Sequence, residues 1–255
     1  MYRKCVSAAL AAAMLVSFPA LAQDAPTSES QWTGSGELGL TSATGNARTQ
    51  NINALLAVGL DEGRWHHDAS AFWLRSRGEV DTSTRTGSTS AMEDTANRYG
   101  VAFSSAFDLS ERSYLIGSLR YDHDNFASYL WRGVAAASYG YRWRDDARMR
   151  LVTEIGPGFR RSHDTSTGAV ENEGIARGLV DFSWQLSDNT RLLDTFLVES
   201  GRLNTFVQND LGLQVSMTER LALKAGYQVR YNSDVDPGFK KTDTVTMLNL
   251  VYSVK

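Results

Sequence analysis

Residues 221–232, LALKAGYQVRYN, decide how the whole chain is read. In an extended strand successive side chains point to opposite faces. Leu221, Leu223, Ala225, Tyr227, Val229 and Tyr231 then share one face, and Ala222, Lys224, Gly226, Gln228, Arg230 and Asn232 share the other. One face is greasy and aromatic, and the other carries two cations and two amides. Which of them is the outside of the protein depends on what the rest of the chain does.

The same alternation recurs along the sequence, with helical spacing of apolar residues hard to find. It predicts twelve strands, at 32–42, 48–60, 64–76, 96–108, 113–123, 129–143, 148–160, 173–186, 190–200, 204–217, 221–232 and 241–254. In the fourth, Tyr99, Val101, Phe103 and Phe107 oppose Arg98, Gly100, Ala102, Ser104 and Asp108; in the eighth, Val180, Phe182, Trp184 and Leu186 oppose Arg177, Asp181, Ser183 and Gln185. The third, fifth and ninth alternate poorly. Every second connection is short and polar, as in DEGR (61–64), RDDAR (144–148) and MTER (217–220). The others are mostly longer, at 77–95, 124–128, 161–172 and 233–240, with TGN (44–46) and ESGRLN (199–204) as short exceptions.

An even number of alternating strands, joined by short turns at one end and longer loops at the other, is the pattern of an outer-membrane β-barrel. The fold class expected is all-β: a 12-stranded antiparallel up-and-down transmembrane barrel with both termini periplasmic. Aromatics give a separate check, because barrels carry aromatic girdles at both membrane interfaces. Trp32, Trp65, Phe107, Trp143, Trp184 and Tyr252 fall at the periplasmic strand ends, and Tyr99, Tyr121, Trp131, Phe159, Phe206 and Tyr231 gather at the other. A closed barrel pairs every backbone polar group, which lipid requires. The greasy face of 221–232 therefore points at lipid, and Lys224, Gln228 and Arg230 point into a hydrated lumen; at the membrane midplane each cation would cost ~2–4 kcal/mol.

Composition agrees. Lys+Arg is 26 and Asp+Glu 29, for a net charge of −3, which leaves no basic excess for nucleic acid. No segment beyond the N-terminus is apolar for the ~20 residues that a spanning helix needs. Residues 1–22, MYRKCVSAALAAAMLVSFPALA, run from Arg3 and Lys4 through an apolar stretch to Ala20-Leu21-Ala22 and read as a secretory signal peptide. Its removal takes away two cations and Cys5, the only cysteine, so the exported chain has no disulfide. The expected organisation is a signal peptide over 1–22, a short periplasmic segment over 23–31 and the barrel over 32–255, in the outer membrane of a Gram-negative bacterium.

The first hairpin, WTGSGELGLTSATGNART, and the last, YQVRYNSDVDPGFKKTDTVTMLNLVYS, resemble the YdiY-like family of salt-induced outer membrane proteins. The likeness covers essentially the whole chain after residue 22; the GLTSATGN turn and the NSDVDPGFKKTDT loop are its most specific pieces. It implies a single outer-membrane barrel of unknown function, with no catalytic residue to carry over. Such barrels usually end on an aromatic residue read by the barrel-insertion machinery. This chain ends Tyr252-Ser253-Val254-Lys255, and Tyr252 is expected to serve instead.

Several motifs invite chemistry and read more simply without it. Gly34, Gly36 and Gly39 spell G-x-G-x-x-G but lack the strand-then-helix setting of a dinucleotide site, and read as small residues making room in a narrow barrel. Asp234, Asp236 and Gly238 have too few acids for a calcium loop, and Asp236-Pro237-Gly238 reads as a proline turn. Lys240 and Lys241 beside it are placed to meet lipopolysaccharide phosphates. His123, between Asp122 and Asp124, is the one candidate base, for a lipid hydrolase; no Ser is recognisably paired with it. His66 and His67 are adjacent, so their rings point to opposite faces, and His163 reads as part of a polar loop. No cofactor, metal or catalytic residue is expected, and the chain is not read as an enzyme.

The inward charges are the most informative group. By parity Glu37, Arg98, Arg132, Arg142, Arg150, Glu154, Arg160, Arg177, Asp181, Asp210, Lys224 and Arg230 line the lumen, eight cations against four acids. The expectation is a narrow passive channel, weakly favouring anions, for small polar solutes. The alternatives are a structural or stress-related barrel whose interior is closed by ion pairs and, less favoured, the hydrolase. Expected partners are outer-membrane lipid, lipopolysaccharide and the insertion machinery.

Overall fold

The computed structural model describes residues 30–43, 49–84 and 87–254, with the side chains of 41–49 and 80–90 left undescribed. The signal-peptide reading of 1–22, most of segment 23–31 and the TGN turn lie outside the described residues. Twelve strands form one closed antiparallel barrel, each paired with its sequence neighbours and the last with the first. They are β1 (Gln31–Ala43), β2 (Thr49–Glu62), β3 (Trp65–Thr84), β4 (Gly87–Asp108), β5 (Ser113–Asp124), β6 (Tyr129–Asp145), β7 (Met149–Asp164), β8 (Val170–Gln185), β9 (Thr190–Gly201), β10 (Thr205–Ser216), β11 (Leu221–Asn232) and β12 (Thr242–Val254). The strand expectations hold to within a few residues except at two loops.

Segment 77–95, expected as a loop, continues β3 and β4 to 20 and 22 residues, against 12–17 for the others. Beyond Gly78, its last partner on β2, the remaining six residues carry β3 ~20 Å further. Its sequence explains why. Thr82, Thr84 and Thr89 are β-branched and favour an extended chain even without apolar neighbours. A register shift between Ser76 and Arg77 marks the point where the hairpin leaves the barrel wall, and there Arg75 and Arg77 both reach Asp94, at 2.9–3.0 Å. Likewise β7 and β8 run through most of 161–172, leaving a connection of 165–169. At the last long loop the turn reading holds: Phe239 N–H donates to Asp236 C=O at 3.1 Å, and Gly238 takes φ +99°, as a type II turn with proline second requires.

The outer surface is apolar and exposed, as lipid demands. At the end carrying both termini, which is periplasmic in such barrels, Trp32, Trp65, Trp143, Trp184 and Tyr252 all face outward. At the other end Trp73, Tyr99, His123, Trp131 and His163 sit opposite one another across β3–β7 and form a continuous row. His123 stacks on Tyr99 at 4.8 Å and His163 on Trp131 at 6.0 Å, so His163 belongs to a girdle and not to a polar loop. Phe206 is the exception to the expected belts: it faces inward and is 0% exposed. The glycine expectation is also corrected in part. Gly34 and Gly36 share the outward face of Trp32 and Leu38, and only Gly39 makes room inside, where a Cβ would lie 2.2 Å from both Asn53 Oδ1 and Asn249 Oδ1.

Candidate functional site: a charged layer across the bore

Register fixes which side chains meet inside. Arg132 on β6 stands opposite Asp122 on β5; Arg160 on β7 stands opposite Val134 on β6 and Glu173 on β8; Glu199 on β9 stands opposite Arg177 and Phe206. All of these positions point inward, and at the end away from the termini the long side chains cross the bore. Arg230 on β11 reaches Asp124 on β5 at 3.2 Å, and these strands are six apart in a ring of twelve, which is directly across. Arg98 Nη2 donates to Gln228 Oε1 at 2.6 Å, and Arg132 Nη2 to Asn232 Oδ1 at 3.0 Å. Arg120 binds both Glu199 (2.7 Å) and Asp122 (2.8 Å). Arg160 is held by Glu173 and by the carbonyls of Glu199 and Asn204.

Phe206 sits at the centre. The guanidinium carbons of Arg132, Arg120 and Arg230 lie 4.9, 5.1 and 5.5 Å from its ring centroid. Cations gather over an aromatic face because the ring quadrupole is negative there, and the attraction is strongest when water is excluded. Water is excluded: Phe206 is 0% exposed, and Arg160 and Glu199 are 1% exposed.

Below this layer, towards the termini, the bore widens. One cavity of about 470 Å³ is bordered by Thr33, Ser35, Asp68, Ser104 and Ser118. Another of about 490 Å³, at mid-barrel, is bordered by Glu37, Asn53, Phe72, Lys224 and Met247. Both reach Arg120, which forms part of their roof. Lys224 Nζ pairs with Glu37 at 2.8 Å, Arg177 with Glu154 at 2.7 Å and Arg142 with Asp108 at 2.7 Å; Arg150 pairs with Asp181, and Asp210 accepts from Gln208 and Gln228. On the β4–β7 side Tyr114 is buried against Ala106 and Val152 and donates its hydroxyl to Glu154 at 2.9 Å.

All twelve residues expected in the lumen therefore occupy inward positions, and each has a polar partner. The twelve leave out Asp108, which parity already placed on the face of Arg98, and sequence parity missed Arg120, Asp122, Asp124, Glu173 and Glu199; all six are inward and ion-paired. With them the inward cations and acids among these residues balance at nine each, so the eight-to-four excess behind an anion preference is gone. His123 points to the lipid side while Asp122 and Asp124 point inward; its Nε2 meets Asn125 Oδ1 at 2.8 Å. His66 bridges Asp61 (2.6 Å) and Asp108 (3.0 Å), and His67 stacks on Trp65.

A family model described as "Protein of unknown function, DUF481" matches residues 36–254. An uncharacterized protein of Escherichia coli K12, YdiY, is 25% identical over 91% of this chain and 86% of its own length. Among solved structures, a NanC porin superposes with a TM-score of 0.52 at 12% identity, covering 87% of this chain and 98% of that one. The translocator domain of the autotransporter NalP from Neisseria meningitidis covers 91% of this chain and 90% of its own, with a TM-score of 0.47 and 15% identity. The architecture is that of bacterial outer-membrane barrels.

Proposed function

We propose that this chain, which belongs to the DUF481 family of proteins of unknown function, is an outer-membrane envelope barrel whose bore is shut by an arginine–carboxylate layer around Phe206. The single observation that carries this reading is the solvent exclusion of Phe206, Arg160 and Glu199 in the middle of pairs that reach from one wall to the other. A narrow barrel can be filled by side chains, whereas barrels of 16–18 strands leave an aqueous channel. Here the fill is largely polar and most of its charges are ion-paired, a condition under which buried charges are tolerated. The chamber beneath the layer faces the periplasm.

A narrow passive channel is the second reading. It is favoured by the polar lower chamber and by the nature of the closure, which consists of side chains and contains no folded-in loop among the described residues. Liposome swelling separates the two. Vesicles loaded with refolded protein should swell in glycine or arabinose no faster than empty ones; protein-dependent swelling would establish the channel and end the closed-bore reading.

Exposed Lys240 and Lys241, with outward Arg161, provide cations at the outer rim for lipopolysaccharide phosphates. No catalytic role is assigned to His123. A role under salt or osmotic stress rests on the family resemblance and is tested by growth of a deletion strain in high salt.

A further inference from the structure

The barrel closes unevenly. β1 pairs with β2 from Gln31–Asp61 to Ala43–Thr49, but with β12 only from Gly34–Val254 to Gly39–Asn249. Beyond that point Thr242–Leu248 pair with β11 on one side and, among the described residues, with nothing on the other. Asn249 is three residues from the girdle residue Tyr252, so pairing stops about 8 Å into an apolar band ~25 Å tall. Unpaired backbone is tolerated at membrane depth only where it is buried in protein or lines a water-filled cavity. An open seam that meets this condition is a hydrated slot between bilayer and bore.

The mid-barrel cavity lies directly behind it, with Glu37, Met247 and Asn249 on its wall. Leu55, Phe72, Leu74 and Met247, all on inward positions, give that cavity an apolar side. Arg98 is at the far end of this apolar patch. It is buried, its guanidinium carbon lies 5.2 Å from the Phe72 ring centroid, and its only hydrogen bond among the described residues is to Gln228. Its Nε is buried with no partner, and among the described residues it makes no ion pair, although Asp124 stands opposite it on β5. A buried cation without an ion pair among the described residues, next to a greasy wall and reached from the membrane through a wet slot, matches one ligand chemistry. A small polar solute needs neither the slot nor the wall.

We propose that this cavity binds a single-chain amphiphile with an anionic headgroup, taken up sideways through the β1–β12 seam. The headgroup travels in the hydrated slot while the tail stays in oil; inside, the headgroup meets Arg98 and the tail lies along Leu55, Phe72, Leu74 and Met247. The foot of the slot is strapped from within. Asn53 Nδ2 donates to Asn249 Oδ1 over the bare Gly39 at 2.9 Å, Asn249 Nδ2 donates to Glu37 at 2.9 Å, and Lys224 pairs with Glu37.

The test uses the full-length chain in phosphatidylcholine nanodiscs, with cis-parinaric acid as a fluorescent probe. Wild-type protein should bind it saturably at one per barrel. The uncharged methyl ester and the Arg98→Gln variant should each bind at least tenfold more weakly. On a Cys5→Ser background, Leu40→Cys and Leu248→Cys joined by a thiol cross-linker should slow uptake at least tenfold, with recovery on cleavage of the linker. The cross-linked barrel keeps Arg98, so it tests the route even if Arg98→Gln fails to fold. Absence of saturable binding, equal binding of acid and ester, or unchanged uptake across a sealed seam overturns the proposal. So does a cross-link that forms between two chains, which would make the seam a strand-pairing interface between copies. Ion current through the wild type would contradict the closed bore and leave this result standing.

Discussion

Replacing Phe206 by alanine tests whether the charged layer is a packed structural unit. The ring is 0% exposed and has three guanidinium groups within 5.5 Å of its centroid. Phe→Ala in a site that cannot collapse costs about 3–5 kcal/mol. The neighbours here are charged, so water enters the hole and offsets part of that cost. Against the offset stands the lost cation–π attraction, about 0.5–2 kcal/mol per cation where water is excluded. The expected net loss is about 4 kcal/mol. With a urea slope of about 2 kcal/mol/M, the unfolding midpoint should fall by about 2 M. The assay is urea unfolding from phospholipid vesicles, followed by tryptophan fluorescence. Phe206→Leu keeps most of the volume but not the quadrupole, and should lose about 1–2 kcal/mol. If Phe206→Ala costs under about 1 kcal/mol, the ring does not organise the arginines and the argument fails.

Other substitutions probe the same packing. Gly140→Ala puts a Cβ 2.1–2.5 Å from Tyr114 ring atoms that are wedged against Val152 and hydrogen-bonded to Glu154; it should cost about 2–4 kcal/mol in the same unfolding assay. Gly39→Ala drives its methyl into the Asn53–Asn249 hydrogen bond, and hydrogen exchange at Leu38–Gly39 should rise at least tenfold. Asp146, in the turn after β6, accepts from the Arg144 side chain and from the backbone N–H of Arg148 and Met149, which hold its carboxyl at about 2, below the ordinary 3.8. A depressed carboxyl stabilises the turn fully above its unfolded value and loses that contribution as pH falls through about 2. A carboxyl NMR titration of Asp146 should show that midpoint, moving up towards 3.8 in Arg144→Gln.

The fold was legible because lipid and water demand opposite things of neighbouring residues. β4 and β11 have polar or small inner faces and apolar outer faces, and they read cleanly, as does β8 from Val180 to Gln185. β9 did not, because its inner face holds Leu193 and Leu197 while Asp194 faces outward and pairs with Asn209 at 2.7 Å. β5 blurs in the same way, with Tyr114 and Ile116 inward at its lower end. Arg120, Asp122 and Glu199 were lost to those two strands, and with them the charge balance of the bore. Phe206 was within reach of sequence reasoning: the two-residue step that places Asp210 inward places Phe206 inward too, and the step outranks the side chain's hydrophobicity. The long β3–β4 hairpin had no lipid to impose contrast, so alternation carried no signal there. The half-open seam is invisible in sequence, because backbone pairing between the first and last strands leaves no mark on residue type.

The most direct test of the shut bore is the current carried by purified, refolded wild-type protein across a planar bilayer. The cross-bore pairs around Phe206 predict a baseline indistinguishable from protein-free membrane at moderate voltage. Steady ohmic steps that scale with salt concentration would mean that an aqueous path threads the arginine layer, and would contradict the account.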